Sequence, residues 1–110
     1  MARYIVEQIE DHKGENILLL DLRGVSIIAD FFVMCSASSE RQLKAIVGAI
    51  AETVKKNHGE RPVHIDGDAQ SGWVLVDYST VIVHAFSHEK RSYYNLEEFW
   101  RDASVVVSIQ

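Results

Sequence analysis

Three aspartates, Asp21, Asp30 and Asp77, stand at or beside the ends of apolar runs. Carboxylates converging at strand ends can hold Mg²⁺ and, through it, a nucleotide phosphate. Aspartates in such places are also ordinary strand terminators, and no glycine-rich phosphate loop of the Walker or dinucleotide kind accompanies them. A second set, Cys35, His84 and Asp77, supplies the residue types of a thiol nucleophile, a base and an orienting acid. Cys35, however, closes a hydrophobic run and reads as a small buried apolar residue. His84 lies in the alternating run Val81 to Phe86, where a lone histidine is more often structural. His84 and His88, with Glu89 beside them, have a spacing that faces one metal only on a helix, and His84 reads as strand. The expectation is therefore a non-enzymatic chain with no catalytic residue, no metal site and no cofactor.

The aromatic residues suggest recognition instead. Trp73 and Tyr78 bracket one strand-like run, and Tyr93, Tyr94 and Trp100 cluster near the C-terminus. Such residues fill cores or anchor protein interfaces, where tryptophan and tyrosine are enriched. Trp73 fits both roles, because it follows a polar loop and shares its strand face with Leu75 and Asp77; Trp100 reads as core. Lys90, Arg91 and Arg101 read as a solvated helix end rather than an RNA site.

The elements that position these residues follow from periodicity. A short helix is predicted over Ala2 to Asp11, with Ile5, Val6 and Ile9 on one side. Asn16 to Leu22 and Phe31 to Cys35 read as buried strands. The second helix is the clearest element, since Leu43, Ile46, Val47, Ile50 and Val54 fall on one face. Ser39 and Gln42 predict a capping box at its start, and Asn57-His58-Gly59 followed by Pro62 marks its end. Val63 to Asp66 is a short strand candidate, followed by the polar loop Gly67 to Gly72. Trp73 to Asp77 and Val81 to Phe86 read as a hairpin. A last helix is predicted from Glu89 to about Arg101, then the apolar tail Val105 to Ile109 as an added edge strand. This order implies an α/β fold, a mixed β-sheet of about five strands with helices packed on it.

Length and composition agree with one soluble domain over residues 1–110, with 47% hydrophobic and 25% charged residues. No apolar run approaches the roughly 20 residues that a bilayer span requires, and the N-terminal residues lack a secretory or transit pattern, so a cytoplasmic protein is expected. A single cysteine cannot form an internal disulfide. The formal net charge of -5 is the wrong sign for a protein that wraps a phosphate backbone unaided, and suits a basic protein partner.

Three segments in order resemble the ribosomal silencing factor family, also called Iojap-related proteins. Asp21, Ser26, Ala29, Asp30, Phe32 and Val33, followed by Ser39, Arg41 and Gln42, are similar to the family's D-x(4)-S-x-x-A-D-x-F-V block and the S-x-R-Q helix start. Trp73, Leu75, Asp77 and Tyr78 resemble its W-x-L-x-D-Y strand. Val83, His84, Phe86, Glu89, Arg91, Tyr93, Tyr94, Leu96, Glu97 and Trp100 match V-H-x-F-x-x-E-x-R-x-Y-Y-x-L-E-x-x-W. The chain departs from the family in Asp66-Gly67, usually Glu-Gly, and in Ser36-Ala37, usually Thr-Gly.

The resemblance implies a fold similar to a truncated nucleotidyltransferase without its catalytic motif. It implies a translational repressor that binds the large ribosomal subunit through ribosomal protein fourteen of that subunit and sterically blocks joining of the small subunit. It further implies a homodimer when free; little direct RNA contact, which the net charge suggests, and no small-molecule substrate are expected beside it. Motif position and strand alternation together place the docking anchor on Trp73, Leu75 and Tyr94, with acidic contacts from Asp66, Asp77 and Glu97 at its rim. The alternatives are a large-subunit assembly factor sharing the same surface, or a Mg-dependent nucleotidyltransferase-like enzyme built on Asp21, Asp30 and Asp77.

Overall fold

The structure, a computed structural model, describes residues 1–110. Its elements run α1 (Ala2–Asp11), β1 (Glu15–Asp21), β2 (Phe31–Ala37), α2 (Glu40–His58), β3 (His64–Asp68), β4 (Trp73–Asp77), β5 (Val81–Ser87), α3 (His88–Tyr94), α4 (Leu96–Phe99) and β6 (Ser104–Ile109). The strands form one mixed sheet in the order β3-β4-β5-β2-β1-β6. Only β2 and β5 pair in parallel, with Met34 opposite His84 and Cys35 opposite Ala85. The C-terminal tail completes a sixth strand, antiparallel to β1 with Val107 opposite Leu19.

Strand alternation sorts the sheet into two faces. One carries Ile17, Leu19, Val33, Cys35, Val74, Val76, Val83 and Ala85, and α1 and α2 close over it with Ile5, Ile9, Leu43, Ile46, Ile50 and Val54. The other carries Leu20, Phe32, Met34 and Ile82, against which Leu75, Leu96 and Trp100 pack. The first face makes the larger core, because α2 presents a buried side chain on nearly every turn.

Helix α2 has both ends set by local chemistry. Ser39 accepts a hydrogen bond from the Gln42 backbone N–H through its hydroxyl, and the chain ends the helix at Gly59 in the left-handed region (φ +68°). The reciprocal bond of the expected capping box is shifted by one residue: Gln42 Oε1 accepts from Ser38 N at 2.6 Å. The amide Nε2 of Gln42 donates to the Lys13 carbonyl at 2.8 Å, so the same residue ties the end of α1 to the start of α2.

The C-terminal helix predicted from Glu89 to about Arg101 is divided. Asn95 adopts φ +46° and separates α3 from the single turn α4. Asparagine tolerates this conformation better than other non-glycine residues, and its N–H still closes on the Arg91 carbonyl at 3.0 Å. The break rotates the helical face, leaving Tyr93 and Phe99 exposed while Leu96 and Trp100 reach the sheet.

Candidate functional site

The strand β4 places Trp73, Leu75 and Asp77 on the sheet face opposite α1 and α2, with Val74 and Val76 buried on the other side. Across the β3–β4 ladder, Asp66 stands opposite Leu75 and Asp68 opposite Trp73. Tyr94 reaches the same place from the end of α3. Together Asp66, Trp73, Leu75 and Tyr94, joined by Lys90 and Gln70, line an open groove of about 700 Å³.

Trp73 is held from three directions. Its ring stacks on Phe86 at 5.1 Å between centroids, lies 4.4 Å from Tyr94, and donates its indole N–H to His84 Nδ1 at 3.3 Å. The ring is half-buried, so part of it remains exposed to solvent in the groove. The turn leading into β4 is fixed by Asp68, whose Oδ1 accepts from Ser71 N at 2.8 Å, while Ser71 Oγ donates to the Asp68 carbonyl at 2.8 Å. Gly67 completes this wall: its φ is +77°, and a Cβ there would lie 2.2 Å from the Trp73 carbonyl oxygen. Only glycine permits that approach of β3 to β4.

Four of the six expected docking residues, Asp66, Trp73, Leu75 and Tyr94, therefore share one groove. Asp77 lies on the same face at the far end of β4, where its Oδ1 accepts from Ser79 N at 2.6 Å and shapes the turn to β5. Glu97 lies apart from them. Its carboxylate accepts from Arg91 Nε at 3.2 Å, beside a separate cleft that includes Asn16, Leu18 and Ser108. Arg91 is the centre of that region, donating through Nη1 to the Asn16 carbonyl at 2.6 Å and to the buried Ser36 hydroxyl at 3.1 Å. Arg91 thus clamps α3 to β1 and β2; it is not the solvated helix end expected from sequence. This contact gives the buried Ser36 hydroxyl its partner.

Sequence reasoning missed Gln70, Lys90 and Gly67 as groove residues. The signal available was the polar segment Gly67 to Gly72 directly before Trp73, which read as a loop although β3 continues through Gly67 to Asp68. Lys90 is positioned by the cap of α3, where its backbone N–H donates to Ser87 Oγ at 3.2 Å.

The residues considered for catalysis are disposed differently. Burial pushes the Cys35 thiol up to about 12, far from a reactive thiolate, and places it under the helices. His84 faces the other side of the sheet, and burial lowers it to about 4. Asp21, Asp30 and Asp77 gather at one end of the sheet, but Asp21 is engaged by the Arg23 side chain at 2.8 Å and is held down to about 2 chiefly by that hydrogen bonding. Asp30 contributes its backbone, bridging Leu22 and Thr80. No group of three or more His, Cys, Asp or Glu side chains is arranged to hold a metal ion. His88 turns away from His84 and meets Glu15 at 2.7 Å. What the groove offers is shape and polarity: an aromatic floor, an aliphatic wall at Leu75, and an acidic rim at Asp66.

The model of the family described as "Ribosomal silencing factor during starvation" matches residues 1–110. A ribosomal silencing factor of Halalkalibacterium halodurans is 40% identical over 106 residues, covering 96% of this chain and 90% of that protein. One from Bacillus subtilis is 42% identical over 94 residues, or 86% of this chain and 79% of that protein. Among solved structures, the X-ray structure of a Chromobacterium violaceum protein superposes with a TM-score of 0.84 at 29% identity, covering 97% of this chain and 93% of that one.

Proposed function

This chain belongs to the ribosomal silencing factor family, and on that premise we propose that it represses translation by docking through the Trp73 groove on ribosomal protein fourteen of the large subunit. Bound there, it prevents the small subunit from joining by occupying the surface that the small subunit needs. No chemistry is required for this, since two bodies cannot fill one space.

The observation that carries the reading is the groove itself. Trp73, Leu75 and Tyr94 form a compact half-exposed cluster of the kind that supplies most of the energy of a protein interface. Asp66 at its rim and the net charge of -5 favour encounter with a basic ribosomal protein and make direct RNA contact minor. In this reading the protein acts as a single domain in the cytoplasm, where its large-subunit partner is found. When free it is a homodimer.

Binding to isolated ribosomal protein fourteen tests the docking site. Removing a central aromatic anchor typically costs about 2 kcal/mol or more, so Trp73→Ala should weaken the complex roughly thirtyfold while leaving the fold intact. Unchanged affinity of a folded Trp73→Ala protein would place the interface elsewhere.

A further inference from the structure

We propose that His84, a residue outside the contact surface, is a positioning residue that sets the orientation of Trp73 for docking, an inference that rests on the docking reading above. His84 stands on β5 opposite Leu75, one diagonal step from Trp73, and is 4% exposed. The indole N–H is a donor only, so the bond to His84 Nδ1 requires that nitrogen to be unprotonated. The imidazole proton therefore resides on Nε2.

That arrangement has a cost that shows what the histidine is for. Nε2 is buried and finds no acceptor among the protein's own groups, so the neutral ring places an N–H donor where no side chain or backbone carbonyl receives it. An apolar side chain in the same space would remove that donor but would leave the indole N–H of Trp73 without its acceptor. What the histidine supplies, and an apolar residue cannot, is an acceptor aimed at Trp73.

The surroundings make the acceptor a fixed one. Phe32 meets the imidazole edge-to-face at 4.7 Å, and Phe86 lies nearly parallel to it with centroids 6.1 Å apart. Trp73 itself meets Phe86 in a stacked contact and Tyr94 in a tilted one, contacts without a directional bond that leave the ring freedom to shift. The bond to His84 is the one polar link from the indole to the sheet, and it removes that freedom before a partner arrives. Pre-ordering an anchor lowers the entropy lost on binding. The neutral state is secure near neutral pH because burial disfavours the imidazolium, in which Nδ1–H would oppose the indole N–H.

The test reads the two indole N–H groups of the full chain by NMR, without ribosomes, and then reads binding to large subunits. Trp100 has no protein acceptor for its indole N–H and serves as the internal reference. The Trp73 indole should exchange with solvent roughly tenfold more slowly than that of Trp100. His84→Leu should abolish this protection and weaken large-subunit binding several-fold, and His84→Asn, whose Oδ1 can take the place of Nδ1, should restore both. In a Trp73→Phe background His84→Leu should change binding no further. Equal exchange of the two indoles in the unmodified protein would overturn the proposal. So would equal weakening by His84→Leu with and without the Trp73 indole, which would make His84 a packing residue alone. Retained binding by a folded Trp73→Ala protein would instead overturn the docking reading, an outcome kept distinct because the indole exchange is measured without ribosomes.

Discussion

Cys35 and His84 stand on the two neighbouring parallel strands β2 and β5 yet face opposite sides of the sheet. Their register partners make this plain: Cys35 is opposite Ala85, and His84 is opposite Met34. Since successive side chains alternate across a strand, a shift of one residue separates the thiol from the imidazole by the thickness of the sheet.

The consequence for the thiol is inertness. With Cys35 fully buried and held up to about 12, the native protein should resist alkylation by iodoacetamide at pH 8 and react with one equivalent once unfolded in urea. Rapid stoichiometric labelling of the folded protein would contradict the placement.

Arg91 should matter to the fold more than its position near an exposed helix suggests. Its side chain is 12% exposed and its guanidinium reaches Asn16, Ser36 and Glu97. Hydrogen bonds to charged groups contribute about 1.5–3 kcal/mol, so Arg91→Ala should destabilise the protein by roughly 2–4 kcal/mol in urea denaturation. Glu97→Gln, with the carboxylate half-exposed, should cost about 1 kcal/mol or less, and the two changes should be less than additive. A stability loss from Arg91→Ala within experimental error would remove its clamping role.

Acid should act through His84. Its folded value of about 4 lies below the ordinary value of 6.5, so the unfolded chain takes up the proton first as pH falls. Stability from this source is complete above pH 6.5 and declines steadily down to about pH 4, by roughly 3 kcal/mol in total. The groups packed around the ring, Phe32, Met34, Trp73, Leu75 and Phe86, are all uncharged and cannot offset the change. Urea midpoints between pH 7 and pH 4 should fall more steeply for the native protein than for His84→Leu; parallel slopes would mean that the histidine is protonated as easily folded as unfolded.

Gly67 links the edge strand to the Trp73 groove. A Cβ there would meet the Trp73 carbonyl at 2.2 Å, and φ is +77°, so Gly67→Ala must displace β3 from β4. Because β3 is exposed along its length, the loss should be local, on the order of 2–3 kcal/mol, and should appear as fast amide exchange in β3 and weaker ribosome binding. Unaltered exchange in β3 would contradict this.

Much of this architecture was legible in the chain because its determinants are local. The limits of α2 follow from Ser39 and Gly59, and the inward side of β4 follows from alternation of Trp73, Leu75 and Asp77 with Val74 and Val76. Motif position and that alternation together put Asp66, Trp73, Leu75 and Tyr94 on one candidate surface. Glu97 escaped the same reasoning because its placement depends on the turn at Asn95, where a left-handed residue redirects the chain toward Arg91. The tie between Trp73 and His84 was equally hidden, since strand order and diagonal neighbours are set by long-range pairing that no local pattern encodes. Gly67 read as a loop glycine for the same reason: only the neighbouring strand, whose Trp73 carbonyl it approaches, reveals why the side chain is missing.

Whether the Trp73 groove holds the protein on the large subunit and so keeps the small subunit away is read by adding the purified protein to large subunits, then small subunits, and separating the products on a sucrose gradient. The native protein should co-sediment with large subunits and suppress whole-ribosome formation, and Trp73→Ala should do neither at the same concentration. Binding without suppression would contradict silencing by exclusion and favour a role in subunit assembly, and suppression by Trp73→Ala equal to that of the native protein would contradict the groove.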